Sequence, residues 1–469
     1  MIKSFFDDLK YFGNATVFST KSEEITYERL LKDVEECSLH FKSRNLAFLL
    51  CENSIESVVG YLSCLRSGVV PLLISSSLDK ELVLELINSY KPNFIWTSRN
   101  WDLLNEKWKM VHINRTYQLL ESTDQFEHSF HNDLALLLMT SGSTGSPLLV
   151  RISFKNLVEN ANSISQSLSI SQQDIPITTL PMNYSYGLSI INSHLLKGCK
   201  IVLTEESVLS KNFWYLVNSK GVTTFGGVPY TYQMLKRLGF EKMHLPSISK
   251  LTQAGGKLDP NLVKYFAELC ANKGIQFFVM YGQTEATARM SYLPSKDAIR
   301  KSDSIGTPIP NGSFYLLDEA GNVISVSDEV GELYYKGPNV SMGYAYSLND
   351  FSSGDENEGL LATGDLAKMD EDGYYYIVGR KKRFIKVFGN RISLDEVENL
   401  CQKIGYSCVC AGSDDELIIY TTKEEDFKEL KNTISAKIGI HHSAIMVRHI
   451  PEFPRNDSGK ILYAKLKVD

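Results

Sequence analysis

The stretch LLLMTSGSTGSPLLVRISFKN, Leu136 to Asn156, places small hydroxyl residues and glycines between an apolar run and a polar, helix-like segment. Glycines let the backbone turn several N–H groups toward one point, and serine and threonine hydroxyls add donors, so such a loop can hold a phosphate. No lysine follows the glycines, which excludes the Walker pattern, and the GxGxxG pattern is also absent. The stretch predicts an anion-binding loop of another kind, although alone it is equally typical of a flexible surface loop.

The surrounding chain alternates helical and strand patterns, which predicts an α/β fold. TYERLLKDVEECSLHFKS and SIESVVGYLSCLRSG are typical of helices, the second ending at Gly68, whereas LAFLLC, VVPLLI, NFIWTS, LALLLMTS, CKIVLT and IQFFVMYG are typical of buried strands. Ligands of open α/β sheets bind beyond the carboxyl ends of the strands. Both TSGSTGS and YGQTEAT follow such strands, so both are expected at a ligand site.

After about residue 310 the pattern changes to short alternating segments, such as GSFYLLDEAGNVI and GELYYKGPNV, which are typical of antiparallel β structure. The tail from about Lys382 has strand and helix patterns of its own, LIIYTT and EDFKELKNTISAKIG. The pattern therefore favours a large α/β part, a β-barrel-like part and a separate tail.

Composition narrows the class of protein. The 469 residues are 43% hydrophobic and carry a formal net charge of −6, which gives no general attraction to nucleic acid. No apolar run approaches a membrane span, and the start lacks the pattern of a secretory signal. The eight cysteines contain no CxxC pair, which argues against zinc and predicts buried free thiols. We expect a cytoplasmic protein.

Three further segments carry groups suited to a nucleotide. In YGQTEAT, Tyr281 can stack on a base, Thr284 can bind a phosphate oxygen and Glu285 can hold Mg²⁺. Asp365 in TGD can accept ribose hydroxyls, and Lys460 follows a glycine in a polar turn. Each of these residues alone is more often an ordinary turn or surface residue, so only the combination is informative.

The ordered set TSGSTGxP, YGxTE, TGD, GRxxxxIKxxGxRI and PRxxxGKI resembles the AMP-forming adenylating superfamily of acyl-CoA synthetases, peptide-synthetase adenylation domains and firefly luciferase. The resemblance spans nearly the whole chain. It implies a large N-terminal domain of stacked α/β subdomains with a β-barrel-like part, residues 1–381. It also implies a small mobile α+β C-terminal domain, residues 382–469, hinged at Lys382, which makes the basic run GRKKRFIKVFGNR a hinge rather than a nucleic-acid patch.

The resemblance also implies the chemistry. ATP and Mg²⁺ activate a carboxylic acid to acyl-AMP with release of pyrophosphate, and the acyl group then passes to a thiol. Lys460, Thr284 and Glu285 are the implied catalytic residues, with Glu285 binding the metal. The implied nucleotide-binding residues are Thr140, Ser141, Gly142, Ser143, Thr144, Gly145, Gly255, Tyr281, Gly282, Asp365 and Arg380.

The implied acyl and thiol pocket is less specific, and its residues are Tyr184, Phe225, Val228, Gly256 and Gly389. No aspartate lies in PMNYSYG, where amino-acid-activating relatives place one, which favours an uncharged acyl, aryl, hydroxy or short organic acid. The thiol is that of coenzyme A or of the phosphopantetheine arm of a separate carrier protein. An amino-acid adenylating enzyme and a catalytically silent relative are the alternatives.

The chain departs from the pattern at two positions. Leu148 replaces the usual basic residue after the loop's proline, so one phosphate contact is missing or is supplied by Arg151. Leu394 replaces the usual proline of the segment after the hinge. Neither change removes a central catalytic group.

Overall fold

The predicted alternation of helices and strands runs through the computed structural model, which describes residues 8–98, 107–140, 148–381, 383–387, 390–413, 415–424, 427–456 and 459–466. The chain divides into two compact units. The first comprises the described residues of Met1–Gly142, Ser146–Ser313 and Lys336–Leu361, and the second those of Phe314–Tyr335 and Ala362–Asp469. The predicted boundary at Lys382 falls inside the second unit; Lys382 lies outside the described residues, and its hinge role stays a prediction.

The helices begin and end where the sequence carries capping residues. The hydroxyl of Thr26 accepts a hydrogen bond from Arg29 N at the start of the first helix, and Gly68 ends the second with φ +69°. None of the helices in these residue ranges is long and apolar enough to cross a bilayer. The α-helices are α1 (Tyr27–Ser38), α2 (Ile55–Ser67), α3 (Lys80–Tyr90), α4 (Phe154–Ser167), α5 (Ser185–Leu195), α6 (Lys211–Ser219), α7 (Pro229–Arg237), α8 (Pro260–Asn272), α9 (Leu394–Lys403) and α10 (Phe427–Ile438).

The first unit contains two large sheets whose central strands are parallel. Sheet A has the order β16 (Thr307–Pro308), β15 (Ser291–Leu293), β14 (Gln276–Tyr281), β13 (Lys250–Gln253), β12 (Thr224–Gly227), β10 (Pro176–Ile177), β11 (Ile201–Val202), β1 (Thr16–Ser19) and β2 (Glu24–Thr26). Sheet B has the order β19 (Gly343–Ala345), β9 (Leu148–Ser153), β8 (Leu134–Thr140), β4 (Val70–Ser75), β3 (Leu46–Cys51), β5 (Phe94–Ser98), β7 (Tyr117–Ser122) and β6 (Trp108–Asn114).

All six residues of β3 are buried, as expected for a parallel strand covered on both faces. One core cluster combines residues of helices α1, α2, α4 and α5 with strands of both sheets, which confirms the predicted stacking of α/β layers. The strand predicted at CKIVLT is confined to Ile201–Val202.

The second unit contains the predicted antiparallel part. A four-stranded sheet has the order β17 (Ser313–Leu317), β18 (Gly331–Lys336), β20 (Leu360–Met369) and β21 (Tyr375–Arg380). A hairpin of β22 (Phe384–Val387) and β23 (Asn390–Ser393) precedes α9, and a sheet of β24 (Cys408–Ser413), β25 (Glu416–Thr421) and β26 (Ile445–His449) packs with α9 and α10 around its own core. The α/β class with a large and a small part is therefore confirmed.

The cysteines are free thiols, as predicted. Seven are buried and Cys408 is half-buried. Burial raises the pKa of the Cys199 thiol to about 12, so it stays protonated at neutral pH.

Candidate active site

The glycine-rich stretch joins the antiparallel strands β8 and β9 of sheet B. Ser141, Gly142, Ser143, Thr144 and Gly145 lie outside the described residues, so their phosphate-binding role stays a prediction. At the border of the loop, Thr140 pairs with Leu148, and the Thr140 hydroxyl lies 3.4 Å from the Leu148 carbonyl. The half-buried Leu148 is thus the first described residue after the loop, where its side chain supplies no charge.

Arg151 does not substitute for the missing basic residue at position 148, so that part of the sequence interpretation is wrong. The Arg151 side chain is fully buried, and its guanidinium forms a 2.9 Å ion pair with Glu356. Its remaining N–H groups donate to four backbone carbonyls, those of Met342, Tyr344, Ser353 and Gly354. Because all five donors are used, Arg151 fixes residues 342–356 against β9 instead of binding phosphate.

The segment YGQTEAT follows β14 and folds back on itself tightly. A Cβ at Gly282 would lie 1.7 Å from the carbonyl oxygen of Ala288, so only glycine fits this crossing of the backbone. Thr287 and Ala288 have φ of 60° and 146°, and Met290 N donates to Tyr281 O across the base of the turn. The fold-back presents a short 3₁₀ helix, Thr284–Ala286, at the carboxyl end of β14, as predicted for a ligand site.

Thr284 and Glu285 are each held by a residue distant in sequence. The hydroxyls of Thr284 and Ser185 lie 3.2 Å apart, so one donates to the other and one proton is left to reach a ligand oxygen. The Tyr344 hydroxyl donates to Glu285 Oε1 at 2.7 Å. Burial, followed by the charge of Glu285, raises the pKa of Tyr344, so its proton stays in place.

Glu285 fits the predicted magnesium site. Tyr344 occupies one carboxylate oxygen, and no other partner of this carboxylate occurs among the residues that the structure describes. Mg²⁺ in nucleotide sites is typically held by one or two carboxylates together with substrate phosphates and water. A single fixed carboxylate beside a threonine hydroxyl is consistent with that mode of binding.

Part of the predicted acyl pocket is brought together in the first unit. A Cβ at Gly255, whose φ is +82°, would lie 2.7 Å from the Tyr184 hydroxyl and 3.0 Å from Val228. Gly256 lies next to these residues and packs near Pro229. Burial raises the pKa of Tyr184 to about 12, so its hydroxyl remains protonated. These contacts give the pocket wall a polar end at Tyr184.

Two other predicted pocket residues are not brought into this group. The Phe225 ring is fully buried in an aromatic cluster with Phe213, Trp214 and Phe240, at centroid distances of 6.1 to 6.4 Å. Gly389 lies outside the described residues. A role for either residue in binding the acid or the thiol stays a prediction.

The second unit pairs two of the predicted nucleotide-binding residues. Asp365 on β20 is 4% exposed and faces Arg380 on β21 in register, and their charged groups lie 3.4 Å apart. Lys460 lies in a turn in which its backbone N–H donates to Asn456 Oδ1 and its carbonyl accepts from Asn456 N. The backbone of the Asp365–Arg380 pair is thus fixed by strand pairing, and that of Lys460 by its hydrogen bonds to Asn456.

The residues flanking Lys382 share one carboxylate. Asp395 at the start of α9 accepts a 2.8 Å hydrogen bond from Arg380 N and a second hydrogen bond from the Arg383 guanidinium. Arg383 also pairs with Glu398 at 2.8 Å and lies 4.0 Å from the Tyr463 ring centroid. We call Asp395 and its two arginine partners the Asp395 clamp.

Sequence reasoning missed Ser185, Tyr344 and Arg289, which share the neighbourhood of the YGQTEAT segment. Ser185 and Tyr344 are 99 and 59 residues from their partners. Ser185 lies within PMNYSYG beside the predicted pocket residue Tyr184 but was given no role, and Tyr344 lies outside the quoted motifs. Arg289 is the second residue after the motif and its nearest cation, a signal that could have been used.

Comparisons with known proteins identify the family of the chain. The family model "AMP-binding enzyme" matches residues 5–345. A 2-succinylbenzoate–CoA ligase of Bacillus cereus is 24% identical, with 96% of this chain and 95% of the relative aligned. The o-succinylbenzoate coenzyme A synthetase of Bacillus subtilis has a similar fold in its AMP complex, with a TM-score of 0.80, 22% identity and coverage of 99% and 98% of the two chains. Its complex with ATP and magnesium ion gives a TM-score of 0.78 at 21% identity, covering 99% of each chain.

These findings confirm the predicted activity class, in which a carboxylic acid is activated to acyl-AMP and its acyl group is then transferred to a thiol. They favour that interpretation over the amino-acid adenylating alternative. The chain belongs to the family of AMP-binding enzymes and is an AMP-forming acid–thiol ligase.

Proposed function

We propose that the chain joins a small carboxylic acid to coenzyme A, with Thr284 and Glu285 at the reacting phosphate. The observation that carries this proposal is the pair of contacts Ser185–Thr284 and Tyr344–Glu285, at 3.2 and 2.7 Å. Together they orient one hydroxyl and one carboxylate on a rigid turn, the kind of pre-organisation that phosphoryl-transfer chemistry requires.

In the first step, a carboxylate oxygen of the acid attacks the α-phosphorus of ATP. A new O–P bond forms, the bond from the α-phosphorus to the bridging β-oxygen breaks, and pyrophosphate leaves with the electron pair. The Thr284 hydroxyl donates to an α-phosphate oxygen as charge builds on it. Glu285 would hold Mg²⁺, which when bound would supply positive charge to the phosphates.

We assign the remaining nucleotide contacts by the motif positions and the local geometry. The Asp365 carboxylate accepts hydrogen bonds from the ribose hydroxyls. Arg380 lies 3.4 Å from this carboxylate and orients it. Tyr281 covers the adenine, and Thr140 with residues 141–145 binds the outer phosphates. Lys460 bridges the acid and the α-phosphate during adenylation, and residues 382–469 rotate about Lys382 before the second step.

In the second step, the thiol releases its proton to solvent and its sulfur attacks the acyl carbonyl, a C–S bond forms and AMP leaves with the C–O electron pair. We assign Gly389 to the binding of the thiol by its motif position alone. The names of the aligned relatives, coenzyme A ligases, support coenzyme A as acceptor. A carrier protein has no such support, so we place it second.

ATP–pyrophosphate exchange over a panel of acids tests the proposal. We expect exchange with at least one aliphatic or aryl acid and a coenzyme A thioester, identified by mass spectrometry, when coenzyme A is added. Exchange with amino acids alone would replace this function with the amino-acid alternative. A thioester formed only on a phosphopantetheinylated carrier protein would reverse the choice of acceptor, and no exchange with any acid would identify a silent relative.

A further inference from the structure

Arg289 is a buried cation that the proposed adenylation chemistry does not use. It lies between the YGQTEAT segment and β15, and its side chain is 3% exposed. Its carbonyl accepts hydrogen bonds from Asn160 at 3.1 Å and from Asn339 at 2.8 Å, so its backbone is fixed from two sides. The side chain is therefore held inside the first unit by the same fold-back that presents Thr284.

The guanidinium of Arg289 has no charged partner. Its Cζ lies 4.9 Å from the centroid of the Tyr186 ring, and its Nε and Nη1 are buried without a hydrogen-bond partner. No carboxylate forms an ion pair with it among the described residues. A contact with an aromatic face offsets only a fraction of the hydration free energy that a buried cation loses. An anion bound beside Arg289 would offset much more of this loss.

Arg289 borders a cavity between α4, α5 and strands β12 to β14. The enclosed space is small, ≈ 20 Å³, so it admits a water molecule or the end of a ligand rather than a whole one. Hydroxyl and ring groups that line it include Tyr186, Ser189, Thr224 and Thr252. The Tyr186 hydroxyl already donates to the Thr252 carbonyl and the Ser189 hydroxyl to the Tyr186 carbonyl, whereas Arg289 Nε and Nη1 have no hydrogen-bond partner among the described residues and suit a carboxylate group.

The two other basic side chains that line this cavity are already neutral or paired. Lys250 forms a 2.9 Å ion pair with the buried Asp174. His194 is buried, which lowers its pKa to about 4, so it is uncharged at neutral pH. The positive charge of Arg289 is therefore the uncompensated charge of this cavity.

Helix α5 connects the cavity to the reacting centre. Its first residue, Ser185, lies 3.2 Å from the Thr284 hydroxyl, whereas Tyr186 and Ser189 line the cavity. With a rise of about 1.5 Å per residue, Ser189 lies about 6 Å along the helix from Ser185. An acid whose reacting carboxyl attacks the α-phosphate beside Thr284 can thus reach the part of the cavity lined by Ser189 with its other end after about five bonds of extended chain, at about 1.25 Å per bond.

We propose that Arg289 binds a second, non-reacting carboxylate of the acid and so makes the enzyme selective for dicarboxylic acids. The inference rests on the proposed function and specifies its substrate class. Arg289 acts here as a specificity-determining residue, whereas Thr284 and Glu285 serve the reaction. The preferred acids carry carboxyl carbons separated by about 6 Å, as in a six-carbon α,ω-diacid or an ortho-substituted benzoate with a three-carbon arm.

Matched pairs of acids test the proposal in the ATP–pyrophosphate exchange assay. Adipate is compared with hexanoate, and 2-succinylbenzoate with 3-benzoylpropionate, which lacks only the ring carboxylate. We expect kcat/KM to be at least tenfold higher for the diacid of one pair. We further expect Arg289→Gln to lower kcat/KM for that diacid about a hundredfold, mainly through KM, while the monoacid changes less than threefold.

Two further variants make the result decisive. Arg289→Lys, which keeps the charge, should recover part of the preference for the diacid, and Arg237→Gln, on an exposed face of α7, should resemble the wild type. Equal loss for both acids in a folded Arg289→Gln protein, or no loss for either, would overturn the inference while leaving the ligase function intact.

Direct binding separates this inference from the function itself. Calorimetry of adipate and hexanoate with the wild-type protein should show binding of the diacid only, even if Arg289→Gln does not fold. If exchange fails with every acid, the proposed function fails. A diacid that still binds would then keep the Arg289 site, and equal or absent binding of both acids would remove it.

Discussion

Tyr344→Phe tests whether Glu285 depends on its hydrogen bond for magnesium binding. The substitution removes one hydroxyl and leaves the ring, so it deletes the 2.7 Å contact to Glu285 Oε1 without opening a large cavity. Hydrogen bonds to charged groups contribute about 1.5–3 kcal/mol. The pair is half-buried, which favours the lower part of that range, and each 1.36 kcal/mol corresponds to about tenfold in rate.

We therefore expect kcat/KM for ATP–pyrophosphate exchange to fall about ten- to thirtyfold at limiting Mg²⁺. Because the carboxylate remains and only its orientation is released, saturating Mg²⁺ should restore most of the rate. The measurement is the exchange rate as a function of Mg²⁺ concentration at fixed ATP.

Tyr346→Phe provides the matched control, since Tyr346 is 69% exposed and two residues away. A Tyr344→Phe protein that behaves like this control would show that Glu285 does not need the hydrogen bond. A loss that Mg²⁺ does not relieve, together with a lower melting temperature, would show that Tyr344 acts through folding alone.

Three further substitutions examine other parts of the site. Lys460→Ala should abolish exchange yet spare thioester formation from pre-made acyl-adenylate, and equal loss in both assays would contradict the two-conformation proposal. Leu148→Lys should lower the KM for ATP severalfold by restoring a cation beside the loop, and an unchanged KM would show that Leu148 is no handicap. Arg151→Met leaves four backbone carbonyls without their donor, whereas its ion-pair partner Glu356 is exposed to solvent, so urea denaturation should show a loss of about 3–5 kcal/mol that comes mainly from the carbonyls. A stable Arg151→Met protein with weakened ATP binding would instead restore Arg151 to the phosphate site.

The parts of the fold that follow from local pattern could be predicted from the sequence. The strand LAFLLC and the helix ending at Gly68 depend on burial periodicity and on a left-handed glycine, both of which are visible in a short window. The strand predicted at CKIVLT is longer than the observed one, Ile201–Val202. Apolar content alone does not determine how many residues form hydrogen bonds with a neighbouring strand.

The site could be predicted only where a motif carries it. Thr284 and Glu285 were identified by YGQTEAT, but their partners Ser185 and Tyr344 come from α5 and β19, and no local signal places those elements beside the motif. Arg151 shows how sequence position can mislead. Its place next to the loop suggests a phosphate contact, but the pairing of β9 with β19 brings its guanidinium to backbone carbonyls instead. Long-range pairing decides both outcomes.

The Asp395 clamp has a consequence for the energetics of a rotation about Lys382. One side of the clamp, Arg383, is tied to α9 and Tyr463 and would travel with residues 383–466, whereas Arg380 belongs to β21. Turning the chain between them breaks the Arg380 N–Asp395 bond but leaves the Arg383 bonds intact. If residues 383–466 rotate about Lys382 as proposed, only the Arg380 N–Asp395 hydrogen bond of the clamp would have to break, so its strength would contribute to the free-energy difference between the two orientations.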